Sequence, residues 1–333
     1  MRRVHAAALA LAFVLSAPAA ADLAAYLKLG SRVGQTLVPL HWGTFPIRYF
    51  VTNRDVAGVT APQLQQAVAG ALATWSAVPD VSISSQFVGF TGAAPVSGDG
   101  MTVIGFQNRP DLDRVLGATS FTVDTVTGEV LESDIFLNAG FSWSVAQSGE
   151  AGRQDVQSIA LHELGHLLGL GHSALGETEL FGGGRRVLGA ESVMFPIAFS
   201  AGNLNRTPRA DDIAGLSDIY GGQNFRVSTG SISGRITKNG AGVLGAHVVA
   251  FNPSSGKLVG GFTLTADGTF TIGGLEPGFH VVRAEPLDDG DAGSFLDVSQ
   301  PIDLDFKPAI YGGLVPVPRG GSAASIEVKV TPK

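Results

Sequence analysis

Three histidines and a glutamate within one short stretch set out a chemistry: His162-Glu163-Leu164-Gly165-His166-Leu167-Leu168-Gly169-Leu170-Gly171-His172. On an α-helix, residues four apart rise about 6 Å and lie nearly on one face, so His162 and His166 can offer two imidazoles to one metal. Glu163 falls one position on, on a neighbouring line of the helix. That suits a base acting on an activated water better than a ligand. His172 is six residues past His166, and a continuing helix would turn it about 120° off the shared face. The chain therefore has to leave the helix between them. Gly169 is where it can, because glycine accepts the positive φ of a sharp helix exit. Three neutral imidazoles leave a fourth position open, the arrangement of a hydrolytic zinc. The remaining histidines, His5, His41, His247 and His280, do not join this cluster. His247 and His280 are strand-borne and read as structural.

The elements that must position this stretch can be read on either side of it. The helix predicted over 155–168 carries Val156, Ile159, Ala160, Leu164, Leu167 and Leu168, a broad apolar cover that suits burial under a sheet. Strands are predicted over 45–51, 81–88, 101–106, 116–121 and 132–138, where β-rich runs are bounded by turn residues. A helix follows the first strand. Thr60 is its N-cap with Gln63 three residues on, and Leu64, Ala67, Val68, Ala71, Leu72 and Trp75 recur at helical spacing. Trp75 reads as packing. Residues 173–191 are long and glycine-rich, with Gly182-Gly183-Gly184-Arg185-Arg186 at the middle, and are predicted to be a flexible loop outside the core. Thr207 (N-cap) and Pro208 (first helical position) open a last helix that Gly221-Gly222 closes. Asp113, Asp124, Asp134 and Asn138 offer oxygens of the type calcium takes. Their ordinary reading is solvated loop residues, and a calcium site is the alternative.

His162 to His172 resembles the zinc signature of the metzincin metalloproteases. Ser192-Val193-Met194-Phe195-Pro196 resembles the Met-turn of that clan in its matrixin form, and the run from Arg209 to Gly221, with paired aspartates and a closing Tyr-Gly, resembles the last matrixin helix. The similarity covers roughly residues 45 to 222. It implies an α+β fold: a metzincin-type catalytic domain with a twisted mixed sheet and three main helices. It further implies one catalytic zinc on His162, His166 and His172, Glu163 as general base, and Met194 as a soft floor beneath the imidazoles that positions without ligating. Leu116 to Thr119 falls where matrixins keep the sheet edge that pairs with substrate. Gly117 and Ala118 are small enough there for a peptide backbone to approach; the plain alternative is an ordinary strand. Asp211 takes the place of the aspartate that braces the Met-turn, with Gly169 as the other structural residue of the site. Asp212 is left for another buried donor, and for both aspartates the plain alternative is a helix start that favours negative charge.

The 333-residue chain begins Met1-Arg2-Arg3, continues with an apolar run from Ala6 to Leu15 and reaches Ala19-Ala20-Ala21. Positive start, apolar middle and small-residue end are the three parts of a secretory signal peptide, residues 1–21, so the product is expected to be secreted, periplasmic or extracellular. No later run approaches a membrane span, and no transmembrane anchor is expected. A net charge of −7 without a basic run argues against nucleic acid as a partner. With no cysteine, disulfides, thiolate ligands and the cysteine latch of many matrixin propeptides are excluded. Residues 22–44 read as a lead-in in which Trp42 pins the segment, and 45–224 as the catalytic domain.

From Ser228 the texture changes. Short alternating runs at 231–236, 245–251, 263–265, 269–272 and 280–284, with a last strand at 326–330, lie between glycine and proline turns and predict a small all-β sandwich over 228–333. Ala266 to Gly278 resembles the carboxypeptidase regulatory-like (transthyretin-like) domain. Its roles are folding support, or binding of a surface or protein partner. The expected function is a zinc-dependent endopeptidase with a polypeptide substrate. Two other classes stay open. A non-catalytic zinc-fold binding module acting through the sandwich would have no need of Glu163. A zinc hydrolase of a non-peptide bond would have no need of the Met-turn and edge strand.

Overall fold

The computed structural model describes residues 28–33, 36–181, 184–287, 292–296 and 301–333. The signal-peptide reading of 1–21 and most of the lead-in lie outside them. Two compact units emerge. One comprises Val38–Gly169 with Ala198–Thr207; the other comprises Leu170–Ile197 with Pro208–Lys333 and the few described residues before Val38.

The first unit is built on a five-stranded sheet. Its strands are β1 (Ile47–Thr52), β2 (Ser85–Thr91), β3 (Val103–Gln107), β4 (Gly117–Val123) and β5 (Val130–Asn138). The order is β2-β1-β3-β5-β4. All neighbours are parallel except β4, which runs antiparallel to β5 and forms an edge. Between β1 and β2 lies helix α1 (Ala61–Ser76), and Thr60 and Gln63 form the reciprocal capping box at its start. Such a cap is worth about 1 kcal/mol. The buried stripe Leu64, Val68, Leu72 and Trp75 outweighs it, at roughly 1.5–3 kcal/mol per large side chain, so packing holds this helix. The fully buried Trp75 donates its indole N–H to the Leu161 carbonyl at 2.9 Å, which ties α1 to helix α2 (Val156–Leu167). The strand predicted over 81–88 begins four residues late. Only from Ser85 does the chain pair with β1, and the register slips around Gly89.

In the second unit the glycine-rich stretch is not an irregular loop. It forms an antiparallel hairpin of β6 (Gly176–Phe181) and β7 (Gly184–Ala190). Cross-strand pairs hold it: Arg186 with Glu179, and Arg185 Nη1 to Thr178 Oγ1 at 2.9 Å. Alternating Thr178, Leu180, Arg185 and Val187 were hidden by the glycines around them. Helix α3 (Ala210–Tyr220) starts two residues after the predicted first position, because the Asp212 carboxylate accepts the Arg209 N–H at 2.7 Å and moves the cap there.

The rest of this unit is two sheets around one apolar core that includes Ile232, Val248, Ile272, Val282, Phe306 and Val328. In one sheet β8 (Gly230–Lys238) lies between β11 (Thr269–Leu275), antiparallel, and β14 (Ser322–Val330), parallel. In the other, β9 (His247–Phe251) lies between β10 (Leu258–Phe262) and β12 (Gly278–Glu285), and β13 (Val315–Val317) also pairs with β12. The strand expected at 263–265 is β10, several residues earlier. Gly260-Gly261 reads as a turn in sequence, yet here the glycine makes room. A Cβ at Gly260 would stand 2.8 Å from His247 Nε2 and 3.3 Å from Leu175 Cγ. The two lone histidines are held locally: His247 Nδ1 lies 3.0 Å from Glu285 Oε1, and His280 Nδ1 3.2 Å from the Gly278 carbonyl.

Candidate metal centre

Helix α2 is fixed at both ends. At its start the Asp155 carboxylate accepts the Ser158 N–H at 2.8 Å and hydroxyl at 2.6 Å, and pairs with Arg206, whose Nε lies 2.8 Å away. At its end Gly169 has φ +95° and donates to the His166 carbonyl at 2.7 Å. Trp42 donates its indole N–H to the Leu167 carbonyl at 2.9 Å. The one continuous segment from His162 to His172 thereby gathers three imidazoles. The Nε2 atoms of His162 and His166 are 3.1 Å apart, with their rings at 90°. One ring nitrogen from each of His162, His166 and His172 lies within 4.8 Å of the others. Two imidazoles on a shared tetrahedral zinc at 2.0–2.1 Å stand about 3.3 Å apart, so the donor set fits zinc in type and number, and the His162–His166 pair fits it in spacing.

Glu163 is 5% exposed. Its carboxylate accepts the Thr119 hydroxyl at 2.8 Å, and that hydroxyl also lies 3.0 Å from the Glu163 carbonyl. Burial pushes the carboxyl up to about 7, against the downward pull of the Thr119 hydrogen bond. Gly117 is what leaves this carboxylate room: a Cβ there would stand 3.0 Å from Glu163 Oε1 and 3.1 Å from its Cγ. Gly117 and Ala118 open the edge strand β4, paired with Leu137 and Phe136 of β5. Thr119 was not singled out in the sequence. The signal was there, since residues two apart share a strand face and Thr119 follows Gly117 by two.

Met194 is 2% exposed. Its carbonyl accepts the Ser173 N–H at 2.9 Å, linking the Met-turn to the residue after His172. The brace of that turn is Asp212, not Asp211. Asp212 accepts the Ser192 hydroxyl at 2.5 Å and the backbone N–H groups of Val193 and Met194 at 2.9 and 3.2 Å. Asp211 is a structural residue of a different kind, taking the Ser173 hydroxyl at 2.6 Å and the Gly260 N–H at 2.8 Å. Adjacent helix positions point about 100° apart, so only one of the two can face the turn. Burial raises both carboxyls, Asp211 to about 6, while their hydrogen-bond donors pull the other way.

Three of the four proposed calcium oxygens serve the chain itself. Asn138 Oδ1 accepts the N–H groups of Gly140 and Arg109 at 3.0 and 3.2 Å. Asp134 accepts the Val103 N–H at 2.9 Å, and Asp124 accepts the N–H of Val126 at 2.9 Å in its turn. Asp113 closes a single helical turn, Pro110–Leu112.

A mixed sheet with an antiparallel edge, a helix carrying His162, Glu163 and His166, and a third imidazole after a glycine exit make up the arrangement of a metzincin-type domain. Residues 41–221 match the family model described as matrixin, more than half of the chain. The chain belongs to the matrixin family. It is similar to Metalloendoproteinase 5-MMP of Arabidopsis thaliana, 33% identical over 96 residues, which is 26% of this chain and 22% of that protein. It is also similar to Metalloendoproteinase 2-MMP of Arabidopsis thaliana, 29% identical over 123 residues, which is 35% of this chain and 27% of that one. The matched stretch spans about a quarter of the length of these relatives. No helix among the described residues is long and apolar enough to cross a membrane.

Proposed function

We infer that this chain is an exported zinc-dependent endopeptidase, with His162, His166 and His172 holding the metal and Glu163 as the general base. The observation that carries the reading is the buried Glu163 carboxylate, held by Thr119 on the same helix as two of the three gathered imidazoles. Zinc, when bound, lowers the pKa of a water and polarises the peptide carbonyl. Glu163 would take the proton of an attacking water and return it to the leaving amine; a carboxyl near 7 can do both at neutral pH. The edge strand β4 offers the substrate backbone its pairing positions around Gly117 and Ala118. Met194, held by Asp212, is the Met-turn methionine of this reading. Residues 45–224 make up the catalytic domain and 228–333 a carboxypeptidase regulatory-like domain, and the leader 1–21 exports the chain.

The test is metal content of the purified mature chain, paired with hydrolysis of a peptide pool before and after chelation and zinc return. One zinc with reversible cleavage is the expected result. One zinc without cleavage of any pool favours the non-catalytic binding module. A folded chain that takes up no zinc removes the assignment of the three histidines.

A further inference from the structure

The third imidazole is held from an unexpected place in the chain. His172 Nδ1 lies 2.7 Å from the carbonyl oxygen of Ser294, 122 residues away. Ser294 ends a single turn, Ala292–Ser294. A carbonyl only accepts, so this contact requires the hydrogen on Nδ1, and in the neutral ring the lone pair is then on Nε2. That is the state a metal-binding imidazole needs, and a partner on the other ring nitrogen orients the ring as well.

Two further contacts bring β-sandwich residues to the same spot. The Gly260 N–H of β10 donates to Asp211 at 2.8 Å, and the other oxygen of Asp211 takes the hydroxyl of Ser173, the residue after His172. Phe295, next to Ser294 and 1% exposed, shares a small cavity wall with Ala174 and Phe195, which follow His172 and Met194 closely in the chain. All of these residues belong to the second compact unit.

We propose that the β-sandwich holds the third histidine of the ligand set: the Ser294 carbonyl, held in reach by the buried Phe295 ring, orients His172, and Gly260 through Asp211 holds the backbone beside it. Ser294 and Phe295 are then positioning residues. The inference rests on His172 being a zinc ligand and adds where its support comes from. It also gives the C-terminal region a task that needs no outside partner.

The test uses the full mature chain labelled with ¹⁵N-histidine. Ring ¹H–¹⁵N spectra are recorded with and without zinc, and the His172 signals are assigned by their loss in His172→Gln. A slowly exchanging proton on Nδ1 of His172 in both states is expected. Zinc affinity is then measured by competition with a chromogenic chelator. Phe295→Ala is expected to bind zinc about 10–100-fold more weakly, with Phe295→Leu recovering most of the loss.

A parent chain that binds zinc but carries the His172 hydrogen on Nε2, or shows no protected Nδ1 proton, overturns the proposal. So does Phe295→Ala with parental zinc affinity, whether or not the resonance survives. Should Phe295→Ala fail to fold, the parent spectrum decides alone. A parent chain that takes up no zinc fails at the earlier reading, and the metal-free spectrum still decides whether the Nδ1 contact exists.

Discussion

At the scale of single residues, the site depends on a carboxylate kept where water is scarce. Glu163 is buried, has a hydroxyl donor on one oxygen and lies against a glycine that leaves it space. Replacing it by glutamine preserves the shape and removes the proposed base. Glu163→Gln should keep its zinc and lose roughly 10²–10⁴ in kcat; turnover near the parent's in a zinc-loaded variant would remove Glu163 from the role. Thr119→Val deletes the donor to the carboxylate and leaves the strand intact. A hydrogen bond to a charged group contributes roughly 1.5–3 kcal/mol, so kcat/KM should fall by about tenfold or more at neutral pH with metal content unchanged. An unaffected kcat/KM would mean that the Thr119 contact does not orient the base.

At the scale of elements, helix α2 and the Met-turn are held by contacts that few residues carry. Trp75 supplies an indole donor to the Leu161 carbonyl from a fully buried position. Trp75→Phe should cost about 1–3 kcal/mol from the lost donor alone, read as a lower urea midpoint; an unchanged midpoint contradicts this account of the helix pair. Asp212 serves four donors: the Ser192 hydroxyl and the N–H groups of Val193, Met194 and Arg209. Asp212→Asn sets an amide donor against them. The expected loss is about 2–4 kcal/mol, whereas a brace at Asp211 alone would make the Asp212 change mild. Helix α1, helix α2 and the strands of the catalytic sheet could be read from period and caps. The hairpin over 176–190 and strand β10 could not, because in both the glycines that signal a turn are there for packing or hairpin geometry.

At the scale of the molecule, buried carboxyls make stability depend on pH. Asp211 has an ordinary value of 3.8 and is raised to about 6 in the fold, chiefly by burial. Between those values the folded chain holds the proton that the unfolded chain has released, so this group's contribution to stability falls as pH rises through that window. The stability of the parent minus that of Asp211→Asn should therefore decline from about pH 4 to about pH 6.5, by at most roughly 1.4 kcal/mol per unit. Parallel urea midpoints for the two proteins across that range would show that Asp211 does not titrate this way. The family match over 41–221 continues past Gly169, where the first compact unit gives way to the second. The last matrixin helix thus packs among the strands of the sandwich, as the Asp211 to Gly260 contact records.

The amino-acid sequence by itself determined the histidine cluster, because the three imidazoles and Glu163 lie within eleven residues and helix geometry alone gathers most of them. It determined the glycine exit at 169 and the capped first helix for the same reason: each is written in neighbouring residues. The tertiary structure alone decided which aspartate braces the Met-turn, that Gly117 and Thr119 accommodate Glu163, and that Ser294 meets His172. Those contacts join side chains and carbonyls 18 to 122 positions apart. At such separations the partner is chosen by packing and by the need to satisfy buried polar groups, which leave no local pattern in the chain.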